Sequence, residues 1–336
     1  MRYASVPTTR RVSKIGLGTW QFGSREWGYG DDYAGQAEAI VRRALDCGIT
    51  LFDTAEAYAF GTSERLLGAA LHSAGALDVA FVATKLFPVL PLAPVVLQRA
   101  RASASRLGVP RLDLYQVHQP NPVVPDGPTM TGMQQLQDSG LVENVGVSNY
   151  SLQRWRAAEG ALGRPVLSNQ VQYSLAHRSP EDDLLPYAAE AGRLVIAYSP
   201  LAQGFLSGRY SAEKPPSGAV RALNPLFLPE NLGRAEELLG TLREVADAHD
   251  VTPSQAALAY VIHRPEVVAI PGASSVEQVE KNAAAADIEL ADDEYAALRE
   301  AAARFAPVTG LSAVPKIVAQ QAPSWLNPNS WMRRSG

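Results

Sequence analysis

The chain has 336 residues, 46% hydrophobic and 19% charged, with a formal net charge of −4. That is enough apolar material for a large α/β core, and no basic stripe of the kind a nucleic-acid binder needs is present. A single cysteine, Cys47, excludes an internal disulfide, and neither an apolar leader nor an apolar run near the roughly 18 residues of a membrane helix is seen, so the expectation is a cytoplasmic protein without a membrane partner.

Taken in chain order, short runs of Val, Ile and Leu alternate with Ala- and Leu-rich segments. "KIGLGTW" precedes "AEAIVRRALDCG", and "ITLFDTA" precedes "SERLLGAALHS". "VAFVATK" precedes "PVVLQRARASASRLG", and "LDLYQVHQ" precedes "MTGMQQLQDSG". "NVGVSN", "PVLSNQVQY", "RLVIAYSP" and "VVAIPGA" follow in the same way, the seventh joined to "AEELLGTLREVADAHD" by a long loop. The second member of each pair repeats apolar residues at three- and four-residue steps, which predicts a helix with one buried stripe. Gly48, Gly108, Gly140 and Gly192 stand where helices stop. The first members are nearly all apolar rather than alternating, as expected of strands covered on both faces. Eight strand–helix units predict a (β/α)8 TIM barrel filling one domain, residues 1–336. A doubly wound sheet would need a phosphate-binding turn, and "GLGTWQFG" is not G-x-G-x-x-G.

Barrel chemistry sits at the C-terminal ends of the strands. Asp53 and Tyr58 follow the second strand, Lys85 closes the third and His118 closes the fourth. A lysine at the end of a buried strand needs an anion, and Asp53 is one strand away. The resulting cation beside Tyr58 is expected to lower the phenol pKa and make it a general acid, with His118 donating a hydrogen bond to the same carbonyl oxygen. Glu56 reads as a solvated loop acid.

In this order, "FDTAEAY", the lone "TK", "VHQP", "GVSN", "NQVQY", "AYSPLAQG" and "IPGASS" closely resemble the aldo-keto reductase family, from "KIGLGTW" to about residue 290. Within it, "SPLAQGFLSGRY" and "IPGASSVEQVEKN" look like the branch of bacterial reductases and potassium-channel β-subunits. The resemblance implies NADP(H) bound at the barrel mouth and a small-molecule carbonyl substrate. It assigns Asp53, Tyr58, Lys85 and His118 to catalysis. Gly18, Thr19 and Trp20, with Asp53, are implied beside the cofactor. Ser148, Asn149 and Gln170 are implied at the nicotinamide carboxamide, where donor and acceptor edges suit an amide, and Tyr198 is implied to stack on the ring. Ser199, Leu201, Gln203, Gly204, Arg209 and Arg221 match the loop that covers the pyrophosphate. Gly272, Ser274, Gln278, Lys281 and Asn282 match the adenosine and 2′-phosphate end, at a helix start. Gly272–Ala273 and Lys281 depart from relatives that carry Lys or Arg after "IP" and Glu before the Asn.

For substrate contact the expectation is Trp20 and Trp27 with Tyr58 and His118, and possible wall residues include Tyr29 and Trp325. The tail, 306–336, is expected near the mouth or at an oligomer contact, for instance through Trp331; self-association stays open. The rival reading is an NADPH-binding redox-sensing module with weak catalysis, like the channel β-subunits. A metal-dependent hydrolase is disfavoured because His72, His118, His177, His249 and His263 are scattered without ligand spacing.

Overall fold

The structure is a computed structural model that describes residues 1–23, 33–216 and 219–321. An antiparallel ribbon, β1 (Tyr3–Ala4) and β2 (Val12–Ser13), opens the chain. Among the described residues, eight parallel strands follow: β3 (Leu17–Gly18), β4 (Leu51–Asp53), β5 (Phe81–Leu86), β6 (Leu112–Val117), β7 (Val142–Ser148), β8 (Ser168–Gln172), β9 (Leu194–Tyr198) and β10 (Val267–Ala269). They pair in sequence order, and bridges from Ile15 to Ala269 and from Gly18 to Gly272 join the first to the last. The sheet is therefore a closed (β/α)8 barrel. Gly18 is needed at this seam, because a Cβ there would lie 2.8 Å from the Ile270 carbonyl oxygen.

The helices are α1 (Tyr33–Asp46), α2 (Thr62–Ser73), α3 (Ala93–Leu107), α4 (Asp126–Asp138), α5 (Leu152–Leu162), α6 (Leu184–Ala191), α7 (Ala219–Ala222), α8 (Pro229–Arg234), α9 (Glu236–Ala248), α10 (Pro253–Val261), α11 (Val276–Ala284), α12 (Asp292–Arg304) and α13 (Val314–Gln321). Gly108 and Gly192 end α3 and α6 with φ of 68° and 64°, the left-handed conformation that costs glycine nothing.

By internal contacts the chain forms two compact units, Met1–Leu201 with Gln255–Leu290, and Ala202–Ser254 with the described part of Ala291–Gly336. The first holds the whole barrel and a helical belt in which α1 packs on α2 and α11, α2 on α3, α3 on α4 and α4 on α5. In the second, α9 packs on α12, with Arg304 Nε donating to Glu237 at 2.6 Å. Here the beginning of the tail is tied down: Asn231 on α8 accepts from Val308 N at 2.8 Å and donates to Val308 O at 2.9 Å. Trp325 and Trp331 lie outside the described residues, as do Trp27 and Tyr29.

The amphipathic stretch expected to connect the seventh and eighth strands is α9, which belongs to the second unit. The helix that precedes β10, mostly within the barrel unit, is α10, and the periodicity argument misses it. Ala256 to Val261 are all buried, so no polar face marks the helix.

Inside the barrel, side chains follow the two-residue alternation of strands. Leu51, Phe81, Ala83, Leu114, Leu194, Ile196 and Val268 belong to one buried cluster, and register pairs such as Leu51–Phe81, Ala83–Leu114 and Ile196–Val268 place them on one face. At the seam, Lys14 Nζ donates to the carbonyl oxygens of Arg264 at 2.6 Å, Pro265 at 3.1 Å and Val267.

Candidate active site

One alternation step beyond that level, six of the strands carry polar side chains on the inner face. Leu51 is followed on its face by Asp53, Ala83 by Lys85, Leu114 by Gln116 and then His118, Gly146 by Ser148, Ser168 by Gln170, and Ile196 by Tyr198. The register pairs Lys85 with Gln116 and Ser148 with Gln170, so these groups form a polar layer at the C-terminal ends of the strands. Tyr58 comes from the turn after β4, a 3-10 stretch over Tyr58–Gly61 in which Ala59 and Phe60 take left-handed φ values of 45° and 53°. Such strain in non-glycine residues is characteristic of functional loops.

The four residues expected to share catalysis do meet. Lys85 is fully buried, and its Nζ donates to Asp53 Oδ1 at 2.5 Å, to the Thr54 carbonyl at 2.9 Å and to the Tyr58 hydroxyl oxygen at 3.1 Å. The phenol oxygen accepts this last bond, so the hydroxyl hydrogen remains available to another acceptor. The second carboxylate oxygen of Asp53 accepts from Gln170 Nε2 at 2.7 Å. The His118 ring lies edge-on to Tyr58, with centroids 5.6 Å apart, and its buried Nδ1 has no hydrogen-bond partner among the described residues.

Burial pushes the Tyr58 phenol above its ordinary pKa; Lys85 opposes this, Asp53 reinforces it, and the net direction is upward. This corrects the expectation of a depressed phenol. Removing water from the phenolate costs more than the one ammonium returns, because that ammonium is already neutralised by Asp53. Burial also opposes the charge on Lys85, but Asp53 and Tyr58 outweigh it and hold the amine protonated. His118 is lowered to about 3 by burial and by the Lys85 charge, so its imidazole is neutral at ordinary pH.

The residues expected at the nicotinamide are adjacent. Ser148 Oγ donates to the Gln170 carbonyl at 2.8 Å, Asn149 Nδ2 donates to Ser148 Oγ at 3.1 Å, and Tyr198 OH donates to Asn149 Oδ1 at 3.0 Å. Asn149 has φ of 61°, a conformation Asn tolerates better than other non-glycine residues. Asp53 fixes the Gln170 amide with Nε2 inward, and the carbonyl oxygen is then the group left to accept from an amide N–H. Trp20 is exposed just past β3, while the Thr19 hydroxyl turns inward, donating to the Asp53 carbonyl at 2.9 Å and sharing a bond with Ser63.

At the end of β10, Ser274 N donates to Gln278 Oε1 at 2.9 Å, and Asn282 Nδ2 donates to the Gly272 carbonyl at 3.4 Å. Lys281 pairs with Glu277 on an exposed helix face. Ser199 is left-handed at the end of β9, with Leu201 two residues on. In the second unit, Gln203 and Gly204 are left-handed, Arg221 Nε donates to the Gln203 carbonyl at 3.0 Å, and Arg209 Nε donates to Ser207 Oγ at 3.3 Å.

Sequence reasoning misses three participants. Gln21 lies across the end of β10: a Cβ on Gly272 would sit 1.8 Å from Gln21 Nε2, and Gln21 Oε1 is a buried acceptor with no partner among the described residues. Phe87 packs edge-on against His118, centroids 6.0 Å apart. Glu56 is no solvated acid: its side chain is 10% exposed and ion-paired to Arg99 at 2.7 Å. The position of Phe87 two residues after Lys85 was the available signal; Glu56 and Gln21 carried none.

Residues 14–303 match the sequence model described as the Aldo/keto reductase family. An uncharacterized oxidoreductase of Mycobacterium tuberculosis is 59% identical over 310 residues, which span 92% of this chain and 95% of the relative. The crystal structure of an aldo/keto reductase from Klebsiella pneumoniae in complex with NADP and acetate is similar with a TM-score of 0.71 at 31% identity, covering 89% of this chain and 94% of that one. The glycerol dehydrogenase of Gluconobacter oxydans gives a TM-score of 0.82 at 28% identity, covering 92% and 97%.

Proposed function

Because this chain belongs to the aldo/keto reductase family, we propose that it is an NADPH-dependent alcohol:NADP+ oxidoreductase that reduces an aldehyde or ketone with Tyr58 as the general acid. The observation that carries the reading is the bonded series from Asp53 through Lys85 to the Tyr58 hydroxyl, at 2.5 and 3.1 Å, set beside a neutral His118.

The residues present fit the cofactor. Gln170 turns a carbonyl oxygen toward an amide donor, and Ser148 and Asn149 stand beside it with donors and acceptors of their own. Tyr198 supplies an aromatic face for the nicotinamide ring. When bound, NADPH supplies the hydride. The chain's own task is the carbonyl oxygen. Tyr58 donates its hydroxyl proton to that oxygen as negative charge develops, and Lys85 holds the phenolate that remains. Asp53 keeps the lysine charged and fixed. His118, neutral, offers one ring N–H to the same oxygen without competing for the proton.

The Klebsiella pneumoniae relative, crystallised with NADP, supports the cofactor assignment. The test is NADPH consumption with 4-nitrobenzaldehyde. Turnover that depends on both reactants is expected, whereas tight NADPH binding with no carbonyl reduced would point to the sensing-module reading.

A further inference from the structure

The loop after β5, "FPVLPL", contains two prolines, Pro88 and Pro91, and apolar side chains, with Leu90 in a left-handed conformation at φ of 46°. It leaves the sheet, so its backbone polar groups need partners from elsewhere. Charged and polar side chains supply them. The Phe87 N–H donates to Glu56 Oε1 at 2.5 Å, and Arg99 Nη1 donates to the Phe87 carbonyl at 2.8 Å. Asn121 Nδ2 donates to the Pro88 carbonyl at 2.7 Å. Arg99 also holds Glu56 through its other nitrogens, Nε to Oε2 at 3.0 Å and Nη2 to Oε1 at 2.7 Å. The Glu56 backbone N–H meanwhile donates to the Lys85 carbonyl at 3.4 Å. One ion pair therefore spans two catalytic elements, since Glu56 stands two residues before Tyr58 and Phe87 two residues after Lys85.

We propose that Glu56 and Arg99 are positioning residues for the catalytic group. They lock the Tyr58 turn to the end of the Lys85 strand and hold the Phe87 ring against His118. His118 is gripped from two sides, by the edge contacts with Tyr58 and Phe87, while its backbone N–H donates to the Leu86 carbonyl at 2.9 Å. Arginine suits this place because its planar fork holds both Glu56 carboxylate oxygens while Nη1 reaches the Phe87 carbonyl, a bidentate geometry that a lysine ammonium does not provide. Positioning matters because a displacement of about 1 Å at a reacting group costs about 100-fold in rate.

The kinetic half of the test rests on the reductase reading; the spectroscopic half does not. The variants are Arg99→Met, Arg99→Lys and Glu56→Gln, the last keeping an acceptor for the Phe87 N–H without the charge. In the cofactor-free protein, the proton resonances of the His118 ring, assigned through His118→Gln, are expected to shift in Arg99→Met as the Phe87 edge leaves. With NADPH and 4-nitrobenzaldehyde, kcat/KM is expected to fall about 10- to 100-fold in Arg99→Met, and less in the other two. NADPH Kd is expected to stay within about twofold, because no cofactor contact is removed. If Arg99→Met melts before it can be assayed, the two milder variants carry the test. His118 resonances and kcat/KM at wild-type values in folded variants would overturn the proposal. So would shifted resonances with unchanged kcat/KM, which would leave only a loop brace. A wild type that reduces no carbonyl defeats the reductase reading instead, and the His118 resonances alone then decide for or against the lock.

Discussion

At Tyr58 the balance between burial and charge sets the pH behaviour. Its pKa lies above the ordinary value, so the phenol form needed for reduction is fully present at neutral pH. Reduction should therefore hold level through neutral pH and weaken only as the phenol ionises, above the ordinary tyrosine value of 10.0; alcohol oxidation, which needs the phenolate as base, should strengthen over that rise. A fall in kcat for reduction centred near pH 7, seen in rate profiles, would contradict this. His118, with a pKa of about 3, gives no imidazolium to stand in as acid at neutral pH. Tyr58→Phe should then cost about 10² to 10⁴ in kcat with NADPH Kd unchanged, measured in parallel by steady-state kinetics and fluorescence quenching. Lys85 and Asp53 are a buried ion pair, and removing one partner leaves the other uncompensated. Lys85→Met is expected to abolish reduction and to destabilise the fold by about 3–5 kcal/mol in denaturant titrations, with Asp53→Asn in the same chain restoring part of the stability.

At the scale of elements, the barrel is thinnest around its first strand, which pairs with β4 over only two residue pairs. The register pairs β6 with β7 over five residue pairs, whereas the segments around β3 and β10 meet through two isolated bridges, Ile15–Ala269 and Gly18–Gly272. Lys14 compensates by donating to three carbonyls just before and within β10, and Lys14 O accepts from Ala269 N at 2.9 Å. Lys14→Met keeps the apolar stem and strands those carbonyls, which should cost at least the roughly 1–3 kcal/mol of one unsatisfied buried acceptor. Urea unfolding monitored by circular dichroism measures it, and a midpoint equal to wild type would show that the seam does not depend on Lys14.

For the whole molecule, the expected cofactor residues fall in both compact units, with Arg209 and Arg221 in the second. A charged hydrogen bond to phosphate contributes about 1.5–3 kcal/mol, roughly 10- to 150-fold in affinity. NADPH should bind more tightly than NADH by a factor in that range, because only NADPH offers a 2′-phosphate. Equal dissociation constants for the two cofactors in the wild type would remove the case for a 2′-phosphate contact.

The sequence by itself determined the repeat and its punctuation. Period-3.6 stripes, apolar strands and helix-ending glycines are local features, and eight units of them define the barrel without knowledge of any contact. The polar residues at strand ends, Asp53, Lys85 and His118, were legible because they interrupt otherwise apolar runs. The tertiary structure alone decided the rest. Strands apolar on both faces do not reveal which residues point inward, so the step from Leu114 to Gln116 to His118 has no signature in the sequence. The fully buried face of α10 hides its period. The direction of the Tyr58 pKa depends on how much water is excluded and on Asp53 having already neutralised Lys85. Glu56 reads as a solvated acid until Arg99, 43 residues later, is brought against it. Local pattern is written in the order of residues, while desolvation and pairing arise from groups that only the closed barrel makes neighbours.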